Sequence, residues 1–344
     1  MKSILLFLSV FFISTGISAR DRYKLNPLID ILHYEFNINL NDTNNVILGK
    51  AVIMIKFNGA VSEFELDLKN GDTAGKGMKV DSVRYSGGKI LWVHSQDKLH
   101  ITLNSPAQSG SEGKIYVNYS GIPADGLIIS KNKFGNRTFF ADHWPNRARN
   151  YLPCIDDPAD KATVDFIITS PGRYEVVASG YLVEESDLPG GIRLTHWKED
   201  IPLPVKVMTF GAASFAVQLA GKVDGIPVWS WVYPENRKEG FYDYSFALKP
   251  LTFYIKLIGP YSYEKLANVQ SKTIFGGLEN AGCIFYSENS VTGNGKAEGL
   301  LAHEIAHQWF GNSVTEGEWH HIWLSEGFAT YLTSVYMEKI YGKE

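Results

Sequence analysis

Between Tyr23 and Gly221 apolar residues recur at every second position in short runs broken by Gly, Asn, Asp and Pro, and no other feature constrains the fold as strongly. Tyr34 to Leu40, Ala51 to Phe57, Ser62 to Leu68, Lys114 to Tyr119, Thr163 to Ile168 and Val205 to Phe210 each read as a strand with one buried face. Strands at this spacing predict an antiparallel β domain over residues 20–221. Beyond Pro234 the segments lengthen. Residues 240–258, 297–310 and 325–341 suit helices, with short strands expected at 272–275 and 283–287. Gly221, Gly225 and Pro227 punctuate the change, which places the boundary near residue 221 and makes the fold class α+β, with a second domain over 222–344.

A length of 344 residues suits two domains, each large enough to bury its own core. With 44% hydrophobic and 20% charged residues and a net charge of -4, the composition is neither that of a disordered chain nor that of a nucleic-acid binder. Lys2 precedes an apolar run from Ile4 to Ile13, then small residues through Thr15, Gly16, Ser18 and Ala19. This layout predicts a signal peptide over residues 1–19, since the run is shorter than the roughly 20 residues a membrane span needs. The mature chain is then expected to be exported, periplasmic or extracellular, with no transmembrane segment. Cys154 and Cys283 lie far apart and read as buried free thiols, a single bridge being the alternative.

Residues 303–307 read His-Glu-Ile-Ala-His. Positions four apart share one face of a helix, so His303 and His307 can present both imidazoles to one zinc ion, with Glu304 turned to the same cavity as general base. The alternative is a helix with two satisfied surface histidines. A hydrolytic zinc site takes three protein ligands and leaves one position open, so a third donor is required. Glu326 follows His307 after eighteen intervening residues. An exposed glutamate in the first turn of a helix is the plainer reading, but Trp323, Leu324, Phe328 and Tyr331 are expected to bury this segment against a core. The expected cofactor is one zinc ion per chain, held by His303, His307 and Glu326.

This spacing resembles the zinc signature of the gluzincin aminopeptidases, the aminopeptidase N and leukotriene hydrolase family. Gly276-Gly277-Leu278-Glu279-Asn280 is similar to the family's Gly-x-Met-Glu-Asn exopeptidase motif, with Leu278 in the place of the methionine. Trp309-Phe310-Gly311-Asn312 and Val314-Thr315 continue the zinc segment as in relatives. Pro153-Cys154-Ile155-Asp156-Asp157-Pro158 with Lys161-Ala162, and Gly259-Pro260-Tyr261 with Lys265, complete the ordered set.

The resemblance implies a partial thermolysin-like zinc metalloprotease domain after the β domain, and peptides with a free N-terminus as substrates. It implies that Glu279 anchors the substrate's α-ammonium, that backbone groups at Gly276 and Gly277 pair with an extended peptide, and that Asn280 belongs to the same binding motif. In relatives a Gln or Glu of the β domain helps to hold the amine. The corresponding stretch here is Ala141-Asp142-His143-Trp144, in which Asp142 is the candidate carboxylate and Trp144 takes the aligned place. A tyrosine that steadies the oxyanion is implied roughly sixty to seventy residues beyond the third ligand. Glu344 lies eighteen residues past Glu326, and Tyr331, Tyr336 and Tyr341 fall earlier, on the ligand's own helix, so the chain is expected to be a fragment. Two classes stay open: a zinc aminopeptidase, and a non-catalytic zinc-binding or interaction protein descended from one. Intact Glu304 and Glu279 favour the first, and no residue favours lipid epoxide hydrolysis.

Overall fold

The computed structural model describes residues 25–342, so the leader expected over 1–19 lies outside the described residues. In chain order the strands are β1 (Ile29–Asn39), β2 (Ile47–Phe57), β3 (Val61–Asp67), β4 (Gly77–Tyr85), β5 (Ile90–Ser95), β6 (Lys98–Ala107), β7 (Glu112–Ile122), β8 (Leu127–Lys131), β9 (Arg137–Ala141), β10 (Lys161–Pro171), β11 (Glu175–Ala178), β12 (Tyr181–Leu188), β13 (Ile192–Pro204), β14 (Phe210–Ala213), β15 (Ala216–Val223) and β16 (Ile226–Val232). Helices α1 (Arg237–Ser245) and α2 (Leu248–Leu257) follow, then β17 (Leu266–Ser271), β18 (Gly277–Leu278) and β19 (Cys283–Ser287), and finally α3 (Glu298–Ala306) and α4 (Trp323–Tyr341).

The first unit holds a seven-stranded sheet in the order β12-β13-β10-β1-β2-β7-β4, a four-stranded sheet β11-β14-β9-β8 and a three-stranded sheet β3-β6-β5. The alternation read from the sequence is what buries their inner faces: Ala162, Val164, Phe166 and Ile168 of β10 point into the core. In β1 a register shift between Ile31 and His33 changes which parity faces inward, from Ile29 and Ile31 to Tyr34, Phe36 and Ile38. The antiparallel expectation needs one correction, because β1 and β10 pair in parallel. Eight strands intervene between them in the chain, so no hairpin dictates their direction.

The second unit is built on the sheet β15-β16-β17-β19-β18, in which β16, β17 and β19 run parallel and β15 and β18 are antiparallel edges. The boundary expected near residue 221 falls inside β15. Gly221 marks a register shift against β16 rather than a linker, and the second sheet begins at Ala216. Residues 240–258 form two helices, not one, because Pro250 has no N–H and its ring would meet the carbonyl of Phe246 in a continuous helix. The strand expected at 272–275 is instead β17, just before it. All six of its residues are buried, and its polar Asn268, Gln270 and Ser271 are satisfied by hydrogen bonds, which conceals it from an apolar pattern. Val205–Val207 is a tight turn with all three residues buried, so its apolar content reflects enclosure between the units and not a pleat.

A second core joins the units. Phe140 of β9, Val177 of β11 and Ala213 of β14 pack with Ala267, Val269, Leu278, Cys283 and Phe285. Phe140 meets Phe285 edge-on at 5.4 Å. This contact seats β19, on which the edge strand β18 pairs, against the β domain. Cys154 and Cys283 are both buried and unbonded. No helix among the described residues is long and apolar enough to cross a membrane.

Candidate functional site

Leu301, Ala302, Ile305 and Ala306 bury one face of α3, whose last turn carries His303 and Glu304, with His307 at its C-cap. In α4 the stripe Ser325, Ala329, Leu332 and Tyr336 is buried, and α4 packs on α3. Glu326, one residue past the start of that stripe, is thereby turned to the rim of the interface beside the two histidines. Trp323, Phe328 and Tyr331, expected to bury this segment, are instead exposed. The burial is done by Ser325, Ala329, Leu332 and Tyr336.

His303 Nε2 and His307 Nε2 stand 3.2 Å apart. Glu326 Oε2 lies 3.5 Å from the first and 3.7 Å from the second. Donors about 2.1 Å from a tetrahedral zinc ion are separated by about 3.4 Å, so this triangle has the right size. The tautomer also fits. Nδ1 of His307 is 3.1 Å from the carbonyl of Phe310, which can only accept, so Nδ1 carries the proton and the Nε2 lone pair faces the other donors. Ser325 Oγ stands 3.0 Å from the same Nδ1. Burial lowers the His307 pKa, against the pull of Glu279 and Glu326, which favours the neutral ligand form. Burial raises Glu326, but His303, His307 and the more distant Lys206 outweigh it and hold that carboxylate below its ordinary range.

These donors line a cleft of about 380 Å³ together with Trp144, Phe275, Gly276, Gly277, Leu278, Glu279, Leu300 and Glu304. Glu304 is buried, and desolvation with the nearby charges of Glu279 and Glu326 drives its pKa well above the ordinary carboxylate value. Glu279 is also buried, and its Oε1 has no hydrogen-bond partner. An ionic partner brought by a ligand would complete it. The loop carrying Glu279 is clamped by two side chains that sequence reasoning had not assigned a role. Gln308 Nε2 donates to the carbonyls of Glu279 and Asn280 and its Oε1 accepts from Gly282 N–H, while Asn312 Nδ2 donates to the Glu279 carbonyl at 2.6 Å. Both sit in the stretch continuing the zinc segment, and their spacing alone carried no sign of a partner some thirty residues upstream.

Seven expected residues thus meet in one cleft: His303, His307, Glu326, Glu304, Glu279, Gly276 and Gly277. Asn280 is buried behind the cleft wall, with Nδ2 unpartnered. Asp142 does not line the cleft. Its carboxylate is fully buried, 2.9 Å from Arg147 Nη1 and 3.3 Å from Thr273 Oγ1, and burial lifts its pKa to about 6 against the Arg147 charge. Trp144 takes the cleft position instead, edge-on to Phe275 at 5.4 Å. Tyr336 and Tyr341 donate their hydroxyls to Glu298 at the far end of α3, and Tyr331 is exposed.

Comparison with known proteins agrees with this geometry. Human endoplasmic reticulum aminopeptidase 2 is 29% identical over 211 residues, covering 58% of this chain and 22% of the relative. The probable M1 family aminopeptidase 1 of Encephalitozoon cuniculi is 23% identical over 350 residues, covering 95% of this chain and 40% of that one. The chain therefore spans well under half the length of these curated relatives. Among solved structures, an M1 zinc metallopeptidase from Deinococcus radiodurans shares the fold with a TM-score of 0.75 at 24% identity, covering 92% of this chain and 72% of the other. A mutant of that metallopeptidase bound to a Tyr-Ser-Ala substrate matches equally, at 0.75 and 23% over the same shares. The family models match in chain order, the peptidase M1 N-terminal domain over residues 31–205 and the peptidase family M1 domain over 242–344, the first spanning most of the β unit and the second containing His303, His307 and Glu326: the chain belongs to peptidase family M1.

Proposed function

We propose that this chain carries the metal-binding and amine-anchoring part of a zinc aminopeptidase that hydrolyses the N-terminal bond of peptides with a free amine. One observation carries the reading: three donors in a zinc-sized triangle share a cleft with a buried Glu304 and with a buried Glu279 whose Oε1 lacks a partner. One zinc ion held by His303, His307 and Glu326 would supply Lewis acidity to water and to the scissile carbonyl. Glu304, which lines the same cleft, accepts the proton of the attacking water and delivers it to the leaving amine. Glu279 pairs with the substrate ammonium, which a blocked N-terminus lacks. The exposed edge of β18 offers its peptide groups to an extended substrate, as an added strand. The peptide bound to the Deinococcus relative supports this substrate class. The leader expected over 1–19 supports work outside the cytoplasm.

The test is hydrolysis of leucyl p-nitroanilide alongside zinc analysis. Glu304→Ala is expected to abolish turnover with zinc content intact, and Glu326→Ala to lower zinc occupancy. A Glu304→Ala protein with full activity overturns the mechanism. The second reading is a zinc-binding module without turnover. Wild-type chain that binds zinc and hydrolyses nothing would establish that one.

A further inference from the structure

The segment joining His307 to Glu326 forms neither helix nor strand between Thr315 and Glu318, and it leads into α4, which carries the third donor. Three side chains of the β domain grip it. Lys206, in the turn after β13, places Nζ 2.5 Å from Glu316 Oε1, and the two side chains are only 1% and 0% exposed. The same ammonium lies 5.4 Å from the ring centroid of Trp319. Lys161, at the start of β10, donates through Nζ to the carbonyls of Ser313 at 3.0 Å and Asn312 at 3.4 Å. Asn146 Oδ1 accepts from Trp319 Nε1 at 2.6 Å.

A fully buried ion pair returns in attraction about what its desolvation costs, so against an apolar pair of the same size it contributes little net stability. What it adds is register: one ammonium on the β domain fits one carboxylate on the loop, and sliding the loop by a residue leaves both charges buried alone. Upstream the loop is tied through Asn312 to the Glu279 carbonyl and through Ser313 to the Gln308 carbonyl, whereas Glu316, closer to the third donor, takes its ion pair from the β domain; α3 carries both histidines. Glu326, at the far end of the loop, depends both on the packing of α4 against α3 and on how the loop that leads into α4 is seated.

We propose that the Lys206–Glu316 pair is a positioning device for the third metal donor, through which the β domain places Glu326 opposite His303 and His307 and so raises the affinity for zinc. Lys206 touches no donor: it holds the loop through Glu316, besides the longer-range charge it presents to Glu326. The proposal rests on the zinc reading above.

The test is the zinc dissociation constant of the full chain, measured by competition with a chromophoric chelator and paired with thermal unfolding of the metal-free protein. Wild type that binds no zinc would overturn the reading of the metal centre and this inference with it. With zinc bound by wild type, a folded Lys206→Met protein is expected to bind it about tenfold more weakly. In a Glu326→Ala background the same substitution should change the constant by less than about threefold, because the donor it positions is gone. A contact that merely stabilises the fold would lower the unfolding temperature and leave the zinc constant alone. Wild-type affinity in folded Lys206→Met, or an equal loss in the Glu326→Ala background, overturns the proposal. Should Lys206→Met fail to fold, Glu316→Gln keeps the volume and an acceptor for Nζ and is read in the same way.

Discussion

Gly277 leaves the place of its missing side chain to Glu304: a Cβ there would lie 2.3 Å from Oε1 and 2.4 Å from Cδ of that carboxylate. The glycine of the edge strand is therefore needed for the close approach of the candidate base and not for an unusual backbone angle.

Gly277→Ala should push the Glu304 carboxylate out of place. A displacement near 1 Å at a reacting group is expected to lower kcat on leucyl p-nitroanilide by about 10²-fold with zinc content unchanged. Gly299→Ala is the control. Its added Cβ would meet nothing within 4 Å and it does not line the cleft, so activity should stay within about threefold of wild type. Equal effects of the two substitutions would show that the crowding at Glu304 is not what matters.

Glu279→Gln keeps the shape of the buried side chain and removes its charge. If Oε1 receives the substrate ammonium, kcat/KM on a free-amine substrate should fall by about 10- to 10²-fold, the worth of a hydrogen bond to a charged group. Zinc content and the response to an N-acetylated substrate should not move. Steady-state kinetics on the pair of substrates decides it.

Glu199 of β13 gives a pH dependence of stability. Burial raises its pKa to about 7, opposed by the Ile201 N–H and the Lys265 charge. A carboxyl raised in the folded state holds its proton more tightly there than in the unfolded chain. The stability it contributes is present below the ordinary carboxylate pKa and is lost as pH rises through about 7. Glu199→Gln mimics the protonated form at every pH. Urea unfolding should show variant and wild type alike near about pH 4, and the variant more stable by on the order of 2 kcal/mol near about pH 8. Parallel profiles would mean that Glu199 has the same pKa in the folded and the unfolded chain.

Much of the molecule was legible before any coordinates. Strands β1, β2, β3, β7 and β10 lie where alternation placed them, because a half-buried strand must repeat at every second residue. The metal donors were legible for a related reason. Two histidines four apart share a helix face whatever surrounds them, and His303 and His307 indeed converge. Strand β17 was hidden, since its polar residues are paid for by hydrogen bonds from distant segments that no local pattern announces.

The sequence by itself determined which segments form strands and helices and which side chains could hold a metal, because those properties depend on neighbours within a turn or a pleat. Tertiary structure decided the rest. It ran β1 and β10 in parallel, bound Asp142 to Arg147 and to Thr273, 131 residues away, and so left the cleft wall to Trp144. It also brought Lys206 to Glu316 across 110 residues. Such pairings depend on how the two units seat against each other, and the local period of a chain carries no record of that contact.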